Sequence, residues 1–146
     1  MIRSFTKALS LLVLCAATFS ACKKDKNDDS LAVTKENLVG TYTIASIKAK
    51  AAGSGDQDVT STFLQSCQKD DQYILKSDLT MEYKDAGTAC SPSGDDTGTW
   101  SVSGSKITID GSEETVKTLT KGTLVTEWSD NSSGMTLTIT TTYSRK

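Results

Sequence analysis

Any chemistry in this chain has to come from carboxylates, tyrosines and cysteines, because its 146 residues include no histidine. Without imidazole the commonest general base and metal ligand is missing, and a serine triad cannot be assembled. Three carboxylate pairs occur, Asp70-Asp71, Asp95-Asp96 and Glu113-Glu114. Neighbours on a strand point to opposite faces, and such pairs in loops are usually solvated, so a calcium-type oxygen site at Asp95-Asp96 is the nearest approach to a metal centre. No glycine loop of the phosphate-binding kind is present. The residue types therefore point away from an enzyme and call for no catalytic residue, metal or cofactor. The constellation that remains is apolar and aromatic: Tyr42, Tyr73, Met81 and Tyr83, then Trp100, Trp128 and Tyr143, with Phe63 in a long connection between strands. Gathered in one interior, these side chains could grip an apolar ligand and orient it with their polar tips, or they could simply fill a core.

The four cysteines have different fates, set by the N-terminus. Arg3 and Lys7 precede an uncharged run from Ala8 to Phe19, followed by Ser20, Ala21 and Cys22, the three-part layout of a secretory signal. As a helix that run would span about 18 Å, short of a hydrocarbon core of roughly 30 Å, so it reads as an export signal over residues 1–21. Phe19-Ser20-Ala21-Cys22 resembles the bacterial lipobox, with Phe19 where leucine is usual. Cys15, behind the bulky Leu14, fits that pattern far worse. The resemblance implies a diacylglycerol thioether on Cys22, palmitate-type acyl chains and attachment to a membrane of the cell envelope, with more acyl chains than stable anchoring needs. Residues 22–37 then read as a flexible polar tether. Its start, Lys23-Lys24-Asp25-Lys26-Asn27-Asp28-Asp29-Ser30, resembles the lysine- and aspartate-rich tethers of Bacteroidetes lipoproteins. An outer-membrane location follows from that resemblance, facing either the periplasm or the surface.

With Cys15 removed in the signal and Cys22 carrying lipid, Cys67 and Cys90 are left. In an oxidising compartment two remaining thiols most simply form a disulfide. A metal or redox pair is the alternative, disfavoured by the missing histidine and by a spacing far from Cys-x-x-Cys. Without Arg3 and Lys7, 14 basic residues face 18 acidic ones, a net charge near −4 with no basic patch, which argues against nucleic acid as a partner. About 110 residues follow the tether, enough for one domain, 38–146.

That domain must be built from strands. Threonine, valine, isoleucine and tyrosine recur in short alternating runs between clusters of Gly, Ser and Asp. The runs are Val39 to Lys48, Gln72 to Lys76, Thr80 to Lys84, Gly98 to Ser103, Lys106 to Asp110, Thr115 to Leu119, Thr123 to Ser129 and Met135 to Tyr143. In the last, Met135, Leu137, Ile139, Thr141 and Tyr143 alternate with four threonines, giving one apolar and one hydroxylated face. Short turns such as Ser103-Gly104-Ser105 leave no room for crossover helices, so successive strands are antiparallel. Eight such strands bury one face each and remove both edges by closing into an up-and-down barrel, with a two-layer sandwich as the competing solution.

Leu38-Val39-Gly40-Thr41-Tyr42-Thr43-Ile44, Asp70-Asp71-Gln72-Tyr73-Ile74-Leu75 and Gly98-Thr99-Trp100-Ser101-Val102-Ser103-Gly104 resemble the lipocalin-like domains of Bacteroidetes lipoproteins from Leu38 onward. The family commonly has Gly-x-Trp in the first strand and Asp-Gly in the second hairpin. Tyr42 and Asp78-Leu79 stand there instead. The resemblance implies an all-β, lipocalin- or calycin-like barrel and little about function.

The connection Ala49 to Asp71 is long for a meander. Asp58 can cap a short helix that places Val59, Phe63 and Cys67 on one face against the barrel. In calycin barrels, which this resembles, the corresponding connection is a lid, and a Cys67–Cys90 bond would pin it to the Asp85 to Thr97 loop. Two functions follow: a binding module for a small apolar or amphipathic molecule, or an envelope protein with a filled barrel that engages a protein partner. A continuous cavity of about 300 Å³ or more, lined by the aromatics, separates them.

Overall fold

A computed structural model describes residues 29–131 and 134–146. The expected signal segment, Cys22 and the start of the tether lie outside the described residues.

Nine strands follow one another along the chain: β1 (Gly40–Ala51), β2 (Gln57–Asp58), β3 (Gln72–Leu75), β4 (Thr80–Lys84), β5 (Asp96–Ser103), β6 (Lys106–Ile109), β7 (Ser112–Leu119), β8 (Thr123–Asp130) and β9 (Leu137–Arg145). Every pairing is antiparallel and follows sequence order from β3 to β9, and β1 pairs with both β3 and β9. The sheet thus closes into the expected eight-stranded up-and-down barrel, with the two-residue β2 laid on the outer half of β1. The sandwich is not the solution adopted. Register shifts at Ile44/Ser46 in β1 and Val116/Thr118 in β7 each insert one residue, the local bend by which a sheet curls into a barrel.

The two ends differ because their connections differ. Tight turns at residues 76–79, 104–105 and 120–122 gather at one end, and the long connections 52–71, 85–95 and 131–136 at the other. Leu75, Trp100, Ile107, Val116, Leu119 and Leu124 fill the tight-turn end as one buried cluster with Tyr42 and Met81. Leu38, fully buried, plugs it from below. It ends a one-turn helix, α1 (Lys35–Leu38), whose N-cap Thr34 accepts a hydrogen bond from the Asn37 N–H.

This plug corrects the extent of the tether, which was expected to run to residue 37. Leu31 donates its N–H to the Leu119 carbonyl at 2.8 Å, Ser30 bridges to Thr120, and Leu31 and Val33 pack on the core. Two apolar side chains spaced by two residues are enough to add a short extended segment to the barrel wall.

The expected helix after Asp58 is shorter than its spacing suggests. Asp58 does accept from the Thr60 N–H, at 2.9 Å, but α2 (Thr60–Phe63) is a single turn, followed by a 3₁₀ turn at Ser66–Gln68. The break at Leu64 turns Leu64 inward and leaves Phe63 58% exposed, so Phe63 does not lie on the barrel as expected.

Candidate functional site

The long-loop end of the barrel is hollow. A cavity of about 680 Å³ opens there, bounded by Tyr73, Met81, Tyr83, Ile109 and Tyr143 from the walls and by Gln65, Gln68, Cys90 and Pro92 from the loops above. It lies above the packed layer because inward residues near the strand ends at this mouth have no facing wall close enough to fill the space. Gly98, on the inward face of β5, keeps room for a carboxylate: a Cβ there would fall 2.0 Å from Asp110 Oδ1, which accepts from the Thr99 N–H at 2.8 Å.

Three phenols form one wall. Tyr73 meets Tyr83 edge-on with ring centroids 5.1 Å apart, and meets Tyr143 edge-on at 5.9 Å, both geometries that aromatic quadrupoles favour. Tyr83 donates to Asp71, whose other oxygen accepts from the Ala86 N–H at 3.1 Å. Burial first, and then the bond to Asp71 and its negative charge, hold the Tyr83 phenol well above the ordinary tyrosine range. Tyr143 is pushed up the same way, chiefly by burial and then by the charge of Glu114 and by Tyr73, with Thr126 partly offsetting. Burial followed by Asp71 and Glu114 raises Tyr73. All three are neutral hydroxyls at ordinary pH, with the Tyr83 O–H already committed to Asp71.

The rim is organised by carboxylates accepting from backbone. Asp85 accepts from the N–H groups of Cys90 (3.0 Å) and Gly94 (3.1 Å), and Asp70 from Thr88 at 3.0 Å. Asp95 accepts from Asp85 at 2.7 Å and Asp96 from Thr97 at 2.8 Å. The Asp95-Asp96 pair therefore ties down its own loop. Among the described residues no three Cys, Asp or Glu side chains converge where they could hold a metal ion. Cys67 and Cys90 are joined as a disulfide, with Cα atoms 5.3 Å apart, so the connection after β1 is covalently fixed to the loop after β4 at the cavity mouth.

Of the eight side chains singled out as interior candidates, four line this cavity: Tyr73, Met81, Tyr83 and Tyr143. Two belong to the packed end instead. Tyr42 is buried with its hydroxyl donating to the Leu38 carbonyl at 2.8 Å, and Trp100 with its Nε1–H donating to the Lys76 carbonyl at 2.9 Å. Their polar tips are satisfied by backbone, so neither orients a ligand. Phe63 and Trp128, the latter 42% exposed, border a second hollow of about 310 Å³ with Ile139 and Thr141.

Sequence reading named Glu113-Glu114 as a carboxylate pair but did not place Glu114 in the interior. It lines both hollows, and its Oε2 is buried without a hydrogen-bond partner. Its neighbour Glu113 points outward and pairs with Lys106. The strand was expected to begin at Thr115, but β7 starts at Ser112, which puts Glu114 on the inward face two residues before the buried Val116. Extending the alternation back by one step would have found it.

Among the described residues no helix is long and apolar enough to cross a membrane. Neither a curated protein nor a solved structure matches the chain. Residues 38–126, which run from the plug through β8 residue Thr126 and supply most of the cavity wall, match the family model described as a lipocalin-like domain. With that match covering more than half of the sequence, and with the closed eight-stranded barrel, the chain belongs to the lipocalin-like domain family.

Proposed function

We propose that this protein is an exported, lipid-anchored envelope lipoprotein of the Bacteroidetes type whose barrel binds a small molecule with an apolar body. The cavity carries this reading. Its volume of about 680 Å³ lies within the range of small-molecule sites, and it combines apolar wall from Met81 and Ile109 with a few convergent polar groups. Binding rather than turnover suits a site with no histidine and with its phenols held neutral.

The anchor and the cavity are compatible in layout. The chain enters the barrel at the tight-turn end, where Leu31 and Leu38 pack, and the mouth is at the opposite end. Ser30 is eight residues on from Cys22, a reach of at most about 28 Å. Lipid on Cys22 would therefore hold the closed end toward an outer membrane and leave the mouth facing away.

The test is mass spectrometry of small molecules extracted from the protein purified from its native membrane, alongside Ser112→Trp, which places a large side chain on the rim shared by both hollows. The expected result is a compound near one equivalent in the wild type and strongly depleted in the variant. Extracts that match a blank purification would refute ligand binding. A protein partner at the mouth is the second reading, favoured by the exposed Phe63 and Trp128. Cross-linking from those two positions that captures one protein while the extracts stay empty would favour it.

A further inference from the structure

Resting on that reading, we infer that the ligand is an organic cation: an ammonium-bearing molecule with an apolar body, its charge directed at Glu114. The cavity lining is one-sided in charge. Asp71, Asp85, Asp96, Asp110 and Glu114 all border it, and among the described residues no Lys or Arg does. Four of these five carboxylates already accept hydrogen bonds within the protein, Asp71 from Tyr83 and Ala86, Asp85 from loop N–H groups, and Asp96 and Asp110 from the β5 N–H groups of Thr97 and Thr99. They are turned to structural work, so they set the potential of the cavity more than its contacts. Glu114 differs. Its Oε2 is buried and lacks any partner, and a buried polar atom left unpaired is costly.

An anionic ligand would meet five carboxylates, and a neutral one, even with an O–H or N–H donated to Glu114, would leave that excess of negative charge unopposed. A cation offsets it. A metal ion fits poorly, because no three ligating side chains converge among the described residues. An organic cation fits the wall as well as the charge. Tyr73 and Tyr143 line the same cavity as Glu114, and a cation held over a phenol face gains further stabilisation. Met81 and Ile109 receive the apolar remainder. Glu114 also lines the second hollow, beside Trp128.

The experiment is isothermal titration of the full chain in lipid nanodiscs, with empty nanodiscs as blank, using three probes of one shape: 1-adamantylammonium, 1-adamantanol and 1-adamantanecarboxylate. The ammonium is expected to bind at least ten-fold more tightly than the alcohol, with the carboxylate weakest. Glu114→Gln is expected to bring the ammonium down to the alcohol's affinity. Equal binding of ammonium and alcohol by the wild type would overturn the cation assignment and leave a ligand-binding barrel standing. Failure of all three probes would likewise overturn the cation assignment, and the native extracts then decide separately whether the barrel binds any ligand. The wild-type ranking decides the matter even if Glu114→Gln does not fold.

Discussion

Tyr83 donates its phenolic O–H to one oxygen of the buried Asp71 carboxylate, and the other oxygen accepts from the Ala86 N–H at 3.1 Å. One carboxylate thus joins the entry to β3, the last inward side chain of β4 and the loop after it. Tyr83→Phe keeps the ring and deletes the donor, leaving a buried Asp71 oxygen unpaired. The expected loss is about 1–3 kcal/mol of stability, measured as a lower urea midpoint at unchanged slope. A midpoint equal to the wild type's would mean that water replaces the phenol there.

The same burial governs the alkaline limit of the fold. All four tyrosines of the chain have phenols raised above their ordinary range, near 10, with burial the first cause in each. A pKa raised in the fold favours the neutral form, so its stabilising contribution is complete below about pH 10 and is lost as pH climbs toward the folded-state values. Tyrosinate absorbance at 295 nm should stay flat through pH 10 and then rise together with the loss of β-sheet circular dichroism. A rise near pH 10 with the dichroism intact would contradict the burial of the phenol wall.

The barrel was legible because each strand carries its inward face in alternation, as Leu137, Ile139, Thr141 and Tyr143 do in β9, and because the turns are too short for crossovers. The position of a residue along the barrel axis was not. Tyr42 and Tyr143 share the inward face and stack edge-on at 6.4 Å, yet one is core and the other cavity wall. Periodicity fixes which face a side chain takes, whereas packing or hollow depends on how many walls reach that level. The one-turn α2 shows a second limit. The spacing of Val59, Phe63 and Cys67 suited a helix, but the disulfide and the buried Leu64 fix the connection in a path that a continuous helix cannot follow.

Leu79 occupies the turn between β3 and β4 with φ +70°, the left-handed region in which a side chain crowds the following carbonyl. Its N–H donates to the Lys76 carbonyl at 3.1 Å, and Asp78 accepts from the Thr80 N–H at 3.0 Å, so the turn is held by its neighbours and by Asp78 rather than by the leucine side chain. Leu79→Gly removes the crowding and should raise stability by about 0.5–1 kcal/mol after the glycine's extra unfolded freedom is counted. Leu79→Ala keeps the Cβ and should gain nothing. A glycine variant no more stable than the alanine one would show that the turn bears no such strain.

The disulfide joins cysteines at a sequence separation of 23, for which the chain-entropy model gives about 3 kcal/mol. Replacing both cysteines, Cys67→Ala with Cys90→Ala, should lower the melting temperature by roughly 10 °C. The Asp85 and Asp71 bonds remain to hold the loop after β4, so the barrel itself should persist, with unchanged β-sheet dichroism. What should change is the mouth: Gln65 and Gln68 would no longer be fixed above the cavity, and a bound probe should dissociate several-fold faster. An unaltered dissociation rate would mean that the connection after β1 does not gate entry.

Cys22→Ser tests the anchor apart from the barrel. Among the described residues, the strand pairings, the plug from Ser30 onward and the buried cluster all lie after Asp29. Loss of the thiol should therefore leave the melting temperature and the Cys67–Cys90 bond unchanged and alter location alone. Without acylation no apolar attachment of comparable strength is left, because a single charged stretch such as Lys23-Lys24-Asp25-Lys26 supplies at most a weak, salt-sensitive contact with headgroups. The variant should move from the membrane pellet to the soluble fraction of fractionated cells, and the wild type should carry a mass increment of acyl chains on its N-terminal peptide beginning at Cys22. A serine variant that stays in the pellet through salt and carbonate washing would place the attachment elsewhere and remove the lipoprotein reading, while leaving the cavity and its chemistry intact.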